Sequence, residues 1–414
     1  MIAKIAWRNI TYKPLNTILS LILLTAAVAI ISLLILLQEQ FERQFSSNID
    51  GIDLVIGAKG SPLQLILSSV YQMDAPTGNI NYNEAKVYID HPFAETAVPL
   101  AFGDNYKGYK ILGTTPEYLE KFAGKLSTGG IFTQSFDVVI GINVARKLNL
   151  KVGDKFFSVH GDAAEGEVHE NFPYKVTGII EQTGKVADNL IICNLESVWA
   201  MHGDHAAESP AHGEEGHVHS EDEHEHEETA DADKEITAVL VKLRNKMAFV
   251  MWPRMIAQNT KMQAASPAVE INRLFTLFGI GLTAMQYLAY GIMLISGISI
   301  FIALYNTLKE RKYEFALMRI GGASRFQLLW LVLAESLFLC VTGFILGTIV
   351  GRSALWLISA ATQEEYKMAF DSMMFAWEKE GILLLATIFT GILAAVIPAV
   401  KAYRLNISKT LANA

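Results

Sequence analysis

Apolar residues in this chain follow two patterns. Four stretches are predominantly apolar over twenty residues or more: Leu15 to Leu37, Leu274 to Tyr305, Phe326 to Val350 and Gly381 to Val400. Between the first and the second, apolar residues come in short runs bounded by Gly, Pro, Asn and Asp. A helix needs about 20 apolar residues to cross a hydrocarbon core ~30 Å thick, so each long stretch reads as a span. The short Val- and Ile-rich runs read as strands. The expected fold is membrane α-helical, with four transmembrane helices in a one-plus-three layout and a large α+β extracytoplasmic domain over residues 38–272.

Basic residues in short loops set the orientation. Residues 1–14, an amphipathic start, hold Lys4, Arg8 and Lys13 and no acid. The 307–325 connection holds Lys309, Arg311, Lys312, Arg319 and Arg325 against Glu310 and Glu314, and the 401–414 tail holds Lys401, Arg404 and Lys409. The 351–380 loop is acidic instead, with Glu364, Glu365, Asp371, Glu378 and Glu380 against Lys367 and Lys379. Both termini are therefore expected in the cytoplasm and the 38–272 domain outside it, in a multi-pass membrane protein. The first stretch is too long for a signal-peptide core. Gln38, Glu39, Gln40 and Phe41 follow it in place of a small-residue cleavage site, so it reads as an uncleaved anchor.

Inside the outer domain, strands are expected at Asp53 to Gly57, Asp137 to Gly141, Tyr174 to Ile180, Leu190 to Cys193 and Ile236 to Leu243. Helices are expected at Ser61 to Gln72, Pro116 to Phe122, Ile142 to Leu148 and Leu195 to Trp199. Gly57, Ala58, Lys59, Gly60 and Ser61 faintly suggest a phosphate loop, but the four-residue gap before a Gly-Lys-Ser/Thr is missing. Ser61 as an N-cap, with Pro62 at the first helical position, is the better account. No Ser/His/Asp or Cys/His set stands out, so an enzyme is not expected. Cys193 and Cys340 fall in different regions, which removes a disulfide or a Cys-based metal site.

Net charge is −8, yet residues 201–233 hold twelve acids and no Lys or Arg, leaving +4 on the rest. No basic patch of the nucleic-acid type remains. The same insert holds seven of the ten histidines: His202, His205, His212, His217, His219, His224 and His226. So polar a segment cannot bury enough apolar surface to fold and is expected to be disordered. Imidazole with carboxylate suits Zn²⁺, with Cu²⁺ or Ni²⁺ as rivals, and no spacing defines a single tetrahedral site.

In the membrane part, Phe315, Leu317, Met318 and Ile320 among charges suggest a short amphipathic helix at the cytoplasmic face, stopping at Gly321 and Gly322. Gly343, Gly347 and Gly351 form a small-xxx-small ridge for close helix packing. Glu335 is the one charge inside the 326–350 stretch and is expected to be satisfied by a neighbouring helix or headgroup rather than to act as a gate. No inverted repeat is visible, and four sparsely polar helices leave little material for a pore.

These residues carry a resemblance. Ala6, Trp7, Arg8, Asn9 and Ile10 precede the first span. Val138, Val139, Ile140 and Gly141 are followed by Leu148, Leu150, Val152, Gly153 and Asp154. Most specific is the stretch from Arg311 through Glu314, Leu317, Arg319, Gly322, Ala323 and Ser324 to Arg325, with Met318 where a Leu is usual and Gly321 added. Tyr403, Arg404 and Leu405 follow Pro398. In these features and in its one-plus-three layout the chain resembles the MacB/FtsX-like permeases of ABC systems, lipoprotein-releasing permeases included. The resemblance implies that Arg311, Glu314, Leu317, Arg319, Gly322, Ala323 and Ser324 couple the chain to a cytoplasmic ABC ATPase dimer that binds the ATP. It implies a second permease copy or a sister permease, and mechanotransmission to the outer domain for export or release of a substrate. An alternative is a signalling mechanotransmitter that controls an extracytoplasmic cell-wall hydrolase. The histidine-rich insert is not part of the family pattern and adds a zinc-linked version. A periplasmic adaptor, a hydrolase or a metal-binding protein would be the respective outer partner.

Overall fold

The computed structural model describes residues 14–159, 172–203, 234–365 and 370–405. They belong to two compact units, residues 43–275 and residues 1–42 with 276–414. The first helix, α1 (Pro14–Ile49), runs well past the apolar stretch that ends at Leu37.

The 43–275 unit is built on a mixed sheet. Its strands are β1 (Leu54–Ala58), β3 (Ala94–Tyr106), β4 (Tyr109–Thr114), β5 (Leu126–Gly129), β6 (Asp137–Ile140), β7 (Lys155–Phe156), β8 (Tyr174–Ile180), β9 (Ile191–Asn194), β11 (Ala238–Leu243) and β12 (Met262–Ala265). The order is β12-β1-β11-β3-β4-β9-β6-β8-β5, with β7 beside β8. β4 with β9 and β6 with β8 run parallel, and the remaining neighbours are antiparallel. A separate pair joins β2 (Ile80–Asn81) to β10 (Glu235–Ile236). Helices α2 (Pro62–Ser69), α3 (Tyr82–Ile89), α4 (Ile142–Leu148), α5 (Leu195–Gly203) and α6 (Lys246–Asn259) accompany the sheet. One face of α6 buries Ala248, Trp252 and Ile256, a spacing of four that keeps all three on the core side.

Several expectations shift. The 236–243 strand is interrupted at Thr237, whose N–H donates to Leu100 O at 2.8 Å and whose hydroxyl accepts from Phe102 N at 3.1 Å. That detour lets Ile236 pair with β2 while Ala238 enters the large sheet. The 116–122 helix becomes one turn, Pro116–Tyr118, followed by a π turn, Leu119–Ala123. α5 extends to Gly203, so Met201, placed in the insert by sequence, is a core residue. Ser61 does cap α2, accepting from Gln64 N at 3.4 Å with Pro62 at the first position. β3 hides from pattern reading because Pro99 and the run Gly103, Asp104, Asn105 look like turns. The structure absorbs the latter in a register shift between Phe102 and Asn105. Lys107 and Gly108, both at positive φ, then close the hairpin to β4. α6 hides behind Pro253, which lies inside the helix.

Within this unit the end of α1 is anchored. Tyr71 Oη donates to Phe45 O at 2.8 Å, and Phe45 lies edge-on to Phe275 at 5.8 Å between centroids. Asn48 Oδ1 accepts from Val186 N at 2.9 Å.

The other unit contains α7 (Pro267–Glu310), α8 (Lys312–Ile320), α9 (Arg325–Glu365) and α10 (Trp377–Tyr403) beside α1. Among the described residues, α1, α7, α9 and α10 are long and apolar enough to cross a membrane. Most of the expected 351–380 loop is helical, because α9 continues to Glu365 and α10 starts at Trp377. The expected 307–325 amphipathic element is shorter than read: Thr307 to Glu310 finish α7, and Arg325 opens α9. Leu24, Val28, Ile31, Met293, Leu331 and Ala395 are among the side chains packed at the centre of this unit.

Candidate functional site

The charges and glycines of the 311–325 motif meet at the α7–α8–α9 corner, and the structure divides their roles. Phe315 and Ala316 are buried in the unit's core, and Met318 is packed against it. Tyr313, Leu317 and Ile320 are exposed by 48%, 47% and 60%. Their spacing of four and three puts them on one outward face. The four apolar residues expected to share a face are thus split between two. Tyr313 belongs with the outer set, although sequence reading passed over it.

Arg311 precedes the first turn of α8, and its Nε donates to Glu314 Oε2 at 2.7 Å. At the other end Gly322 stands at φ +98°, a conformation that favours glycine. Ala323 N reaches back to Met318 O at 2.9 Å and Gly322 N to Arg319 O at 3.2 Å, the bond pair of a Schellman cap. Arg319 Nη1 donates to Ala323 O at 2.6 Å and holds the turn from outside. Ser324 then caps α9: its Oγ accepts from Gln327 N at 3.2 Å, while its own N–H donates to Gln327 Oε1 at 2.7 Å. This is a reciprocal capping box. Gly322, Ala323 and Ser324 therefore build the corner, and Gln327, unnoticed in the sequence despite the Ser-x-x-Gln spacing, completes it. Nearby, Lys401 Nζ donates to Tyr305 Oη at 3.0 Å, tying the last turn of α10 to the end of α7.

The glycine ridge of α9 lies against α1. A β-carbon on Gly343 would sit 2.6 Å from Leu24 Cδ2, one on Gly347 2.6 Å from Val28 Cβ, and one on Gly351 2.8 Å from Ala29 O. Only hydrogen fits at such separations, so the ridge sets the approach of these two helices. Glu335, on the same helix, is 4% exposed.

At the opposite ends of α9 and α10, Arg352 Nη2 binds Glu380 Oε1 at 2.9 Å and Met374 O at 3.1 Å. Its guanidinium also lies 4.3 Å from the centroid of Phe375. Both ionic side chains are largely buried, so each satisfies a charge the other would leave stranded. Sequence reading counted Glu380 among the loop acids and left Arg352 out. Gln40 clips the same segment, donating to Asp371 O at 2.9 Å and accepting from Asp371 N at 2.6 Å.

Of the insert's histidines, His202 falls in α5, while His205, His212, His217, His219, His224 and His226 lie outside the described residues. Among the described residues no three His, Cys, Asp or Glu side chains gather to hold a metal.

Residues 17–245 match the MacB-like periplasmic core domain, and residues 287–407 the FtsX-like permease C-terminal domain. An uncharacterized ABC transporter permease protein of Mycobacterium tuberculosis is 25% identical over 338 residues, covering 75% of this chain and 34% of that protein. The chain thus spans about a third of the length of that relative. An uncharacterized ABC transporter permease of Methanocaldococcus jannaschii is 23% identical over 339 residues, 80% of this chain and 72% of its own. Among solved structures, the periplasmic region of MacB from Actinobacillus actinomycetemcomitans aligns with a TM-score of 0.34 at 10% identity, over 55% of this chain and 95% of that one. The extracellular domain of the noncanonic ABC-type transporter YknZ from Gram-positive bacteria aligns at 0.32 and 11%, over 52% and 99%. With the periplasmic core match covering more than half its residues and the permease match following it, the chain belongs to the MacB/FtsX-like family of ABC transporter permeases.

Proposed function

We propose that this chain is the membrane subunit through which a cytoplasmic ATPase dimer moves a domain outside the membrane, for export or release of a substrate. The observation that carries this reading is α8. Its inner face is fixed in the bundle by Phe315 and Ala316, and its outer face presents Tyr313, Leu317 and Ile320. Such an i, i+4, i+7 triple is the kind of surface a hydrophobic groove on a partner accepts. Capped turns follow α8, so a push on it passes into α9 instead of dissipating in a slack loop. The basic residues around this corner and in both termini support a cytoplasmic location for them. A second permease copy or a sister permease completes the pair, one for each ATPase subunit, and ATP is bound by the ATPase. A photo-crosslinking amino acid at Tyr313 or Ile320 is expected to trap the ATPase, and one at buried Ala316 is not. Equal yields at all three positions would sink the reading.

A zinc link is part of the proposal and rests on the composition of the insert. The ATPase rate of the purified complex in lipid is expected to respond to Zn²⁺, and to stop responding once residues 205–233 are removed. The deletion must spare Met201, whose side chain is 2% exposed in the outer core. A response that survives the deletion would separate zinc from the insert.

A further inference from the structure

Exposed apolar residues on the spans have lipid to face, whereas α6 belongs to the 43–275 unit and is not a span. On α6 the outward positions Met247, Val250 and Met251 are 66%, 76% and 51% exposed, opposite the buried Ala248, Trp252 and Ile256. Val87 on α3, 65% exposed, adds to them. Tyr88 meets Trp252 edge-on at 5.6 Å, which sets α3 beside α6. Between the two helices lies a cleft of about 500 Å³ lined by Glu84, Val87, Tyr88, Gln258, Asn259 and Lys261. An apolar strip of this kind outside the spans marks a contact surface.

Its charge narrows the partner. α6 carries Lys246 and Arg254 and no acid. Arg244 and Lys261 flank it, and all four are exposed. α3 carries Glu84 and Lys86, Asp90 follows it, and Glu95 lies near enough to Arg244 to interact with it, so these surroundings hold five bases against three acids. We infer that the α3–α6 face of the outer domain is a docking surface for an amphipathic helical segment of a partner protein, apolar on one side and acidic on its flanks. The cleft beside the apolar strip is lined largely by polar side chains, which the polar flank of a peptide helix can meet and an acyl chain cannot. The fourteen residues of α6 run ~21 Å, about four turns of a docked helix. This inference does not depend on coupling to the ATPase.

The test uses the full chain in nanodiscs of zwitterionic lipid. The probe is a fluorescein-labelled 18-residue helical peptide with a Leu stripe flanked by Glu, compared with the same peptide carrying Lys in place of Glu. Fluorescence anisotropy is expected to show the acidic peptide binding at least tenfold tighter. Val250→Glu with Met251→Glu should weaken it at least tenfold, and Val250→Ser with Met251→Ser should weaken it less, both without change in melting temperature. Equal binding of the two peptides, or full binding by both double variants, would overturn the inference. So would a wild-type preference for phosphatidylglycerol vesicles over the acidic peptide, or a Val250- and Met251-dependent doubling of mass in light scattering, which would assign the face to lipid or to a second copy.

Discussion

Leu317→Asp is expected to leave the permease folded and strip it of its ATPase. Leu317 is about half exposed, so the free chain loses little by the change, whereas Phe315 and Ala316 beside it are buried. In a docked complex the new carboxylate would be driven into an apolar groove, which costs about 1–3 kcal/mol for an unpaired polar group and more for a charge. At ~1.4 kcal/mol per tenfold, ATPase recovered in a pull-down should fall at least tenfold. The melting temperature of the permease alone should stay within about 2 °C. Phe315→Asp makes the opposite case: it places the charge in the permease's own core and should reduce accumulation of the chain itself. If Leu317→Asp copurifies with a full complement of ATPase, the outward face of α8 is not the contact.

Gly347→Leu is expected to damage the span unit severely. Even the β-carbon would lie 2.6 Å from Val28 Cβ and 3.0 Å from Thr25 O, and backbone cannot turn away as a flexible side chain can. Overpacking of this kind costs about 1–3 kcal/mol, occasionally more, and here it wedges α1 from α9. Accumulation and thermal stability in detergent should both drop sharply. Gly279→Leu and Gly281→Leu on α7 are the controls, since a β-carbon there meets nothing within 4 Å. A Gly347→Leu protein as stable as these two would mean that the ridge does not set the α1–α9 distance.

The one-plus-three layout was legible because span length is a property of composition and needs no partner residue. α4 and β8 were legible too, since each is continuous in its period. β3 and α6 were not. Pro99, Gly103 and Pro253 are breakers by local chemistry, and they are held in place by contacts from β11, β4 and the core that no local window contains. At the corner, the motif residues could be named in advance, but not their division of labour. Whether Phe315 or Leu317 faces outward depends on where the bundle lies. The role of Gly322 as a cap depends on Met318 and Arg319 carbonyls that sequence spacing alone leaves open. Arg352 and Glu380 stand 28 positions apart, and only the packing of α9 against α10 brings them together.

The claim that ATP-driven motion passes through α8 to the outer domain is tested most directly by a distance. Lys147→Cys on α4 and Glu378→Cys on α10 are exposed sites for spin labels. The native Cys193 and Cys340 are both buried, and burial pushes the Cys193 thiol up, so they should stay unlabelled. In the permease–ATPase complex in lipid, diluted with unlabelled copies, the 147–378 distance distribution is expected to shift when ATP is trapped on the ATPase, and the shift should vanish in Leu317→Asp. A distribution that stays the same with and without trapped ATP, in a complex that still hydrolyses it, would contradict the account.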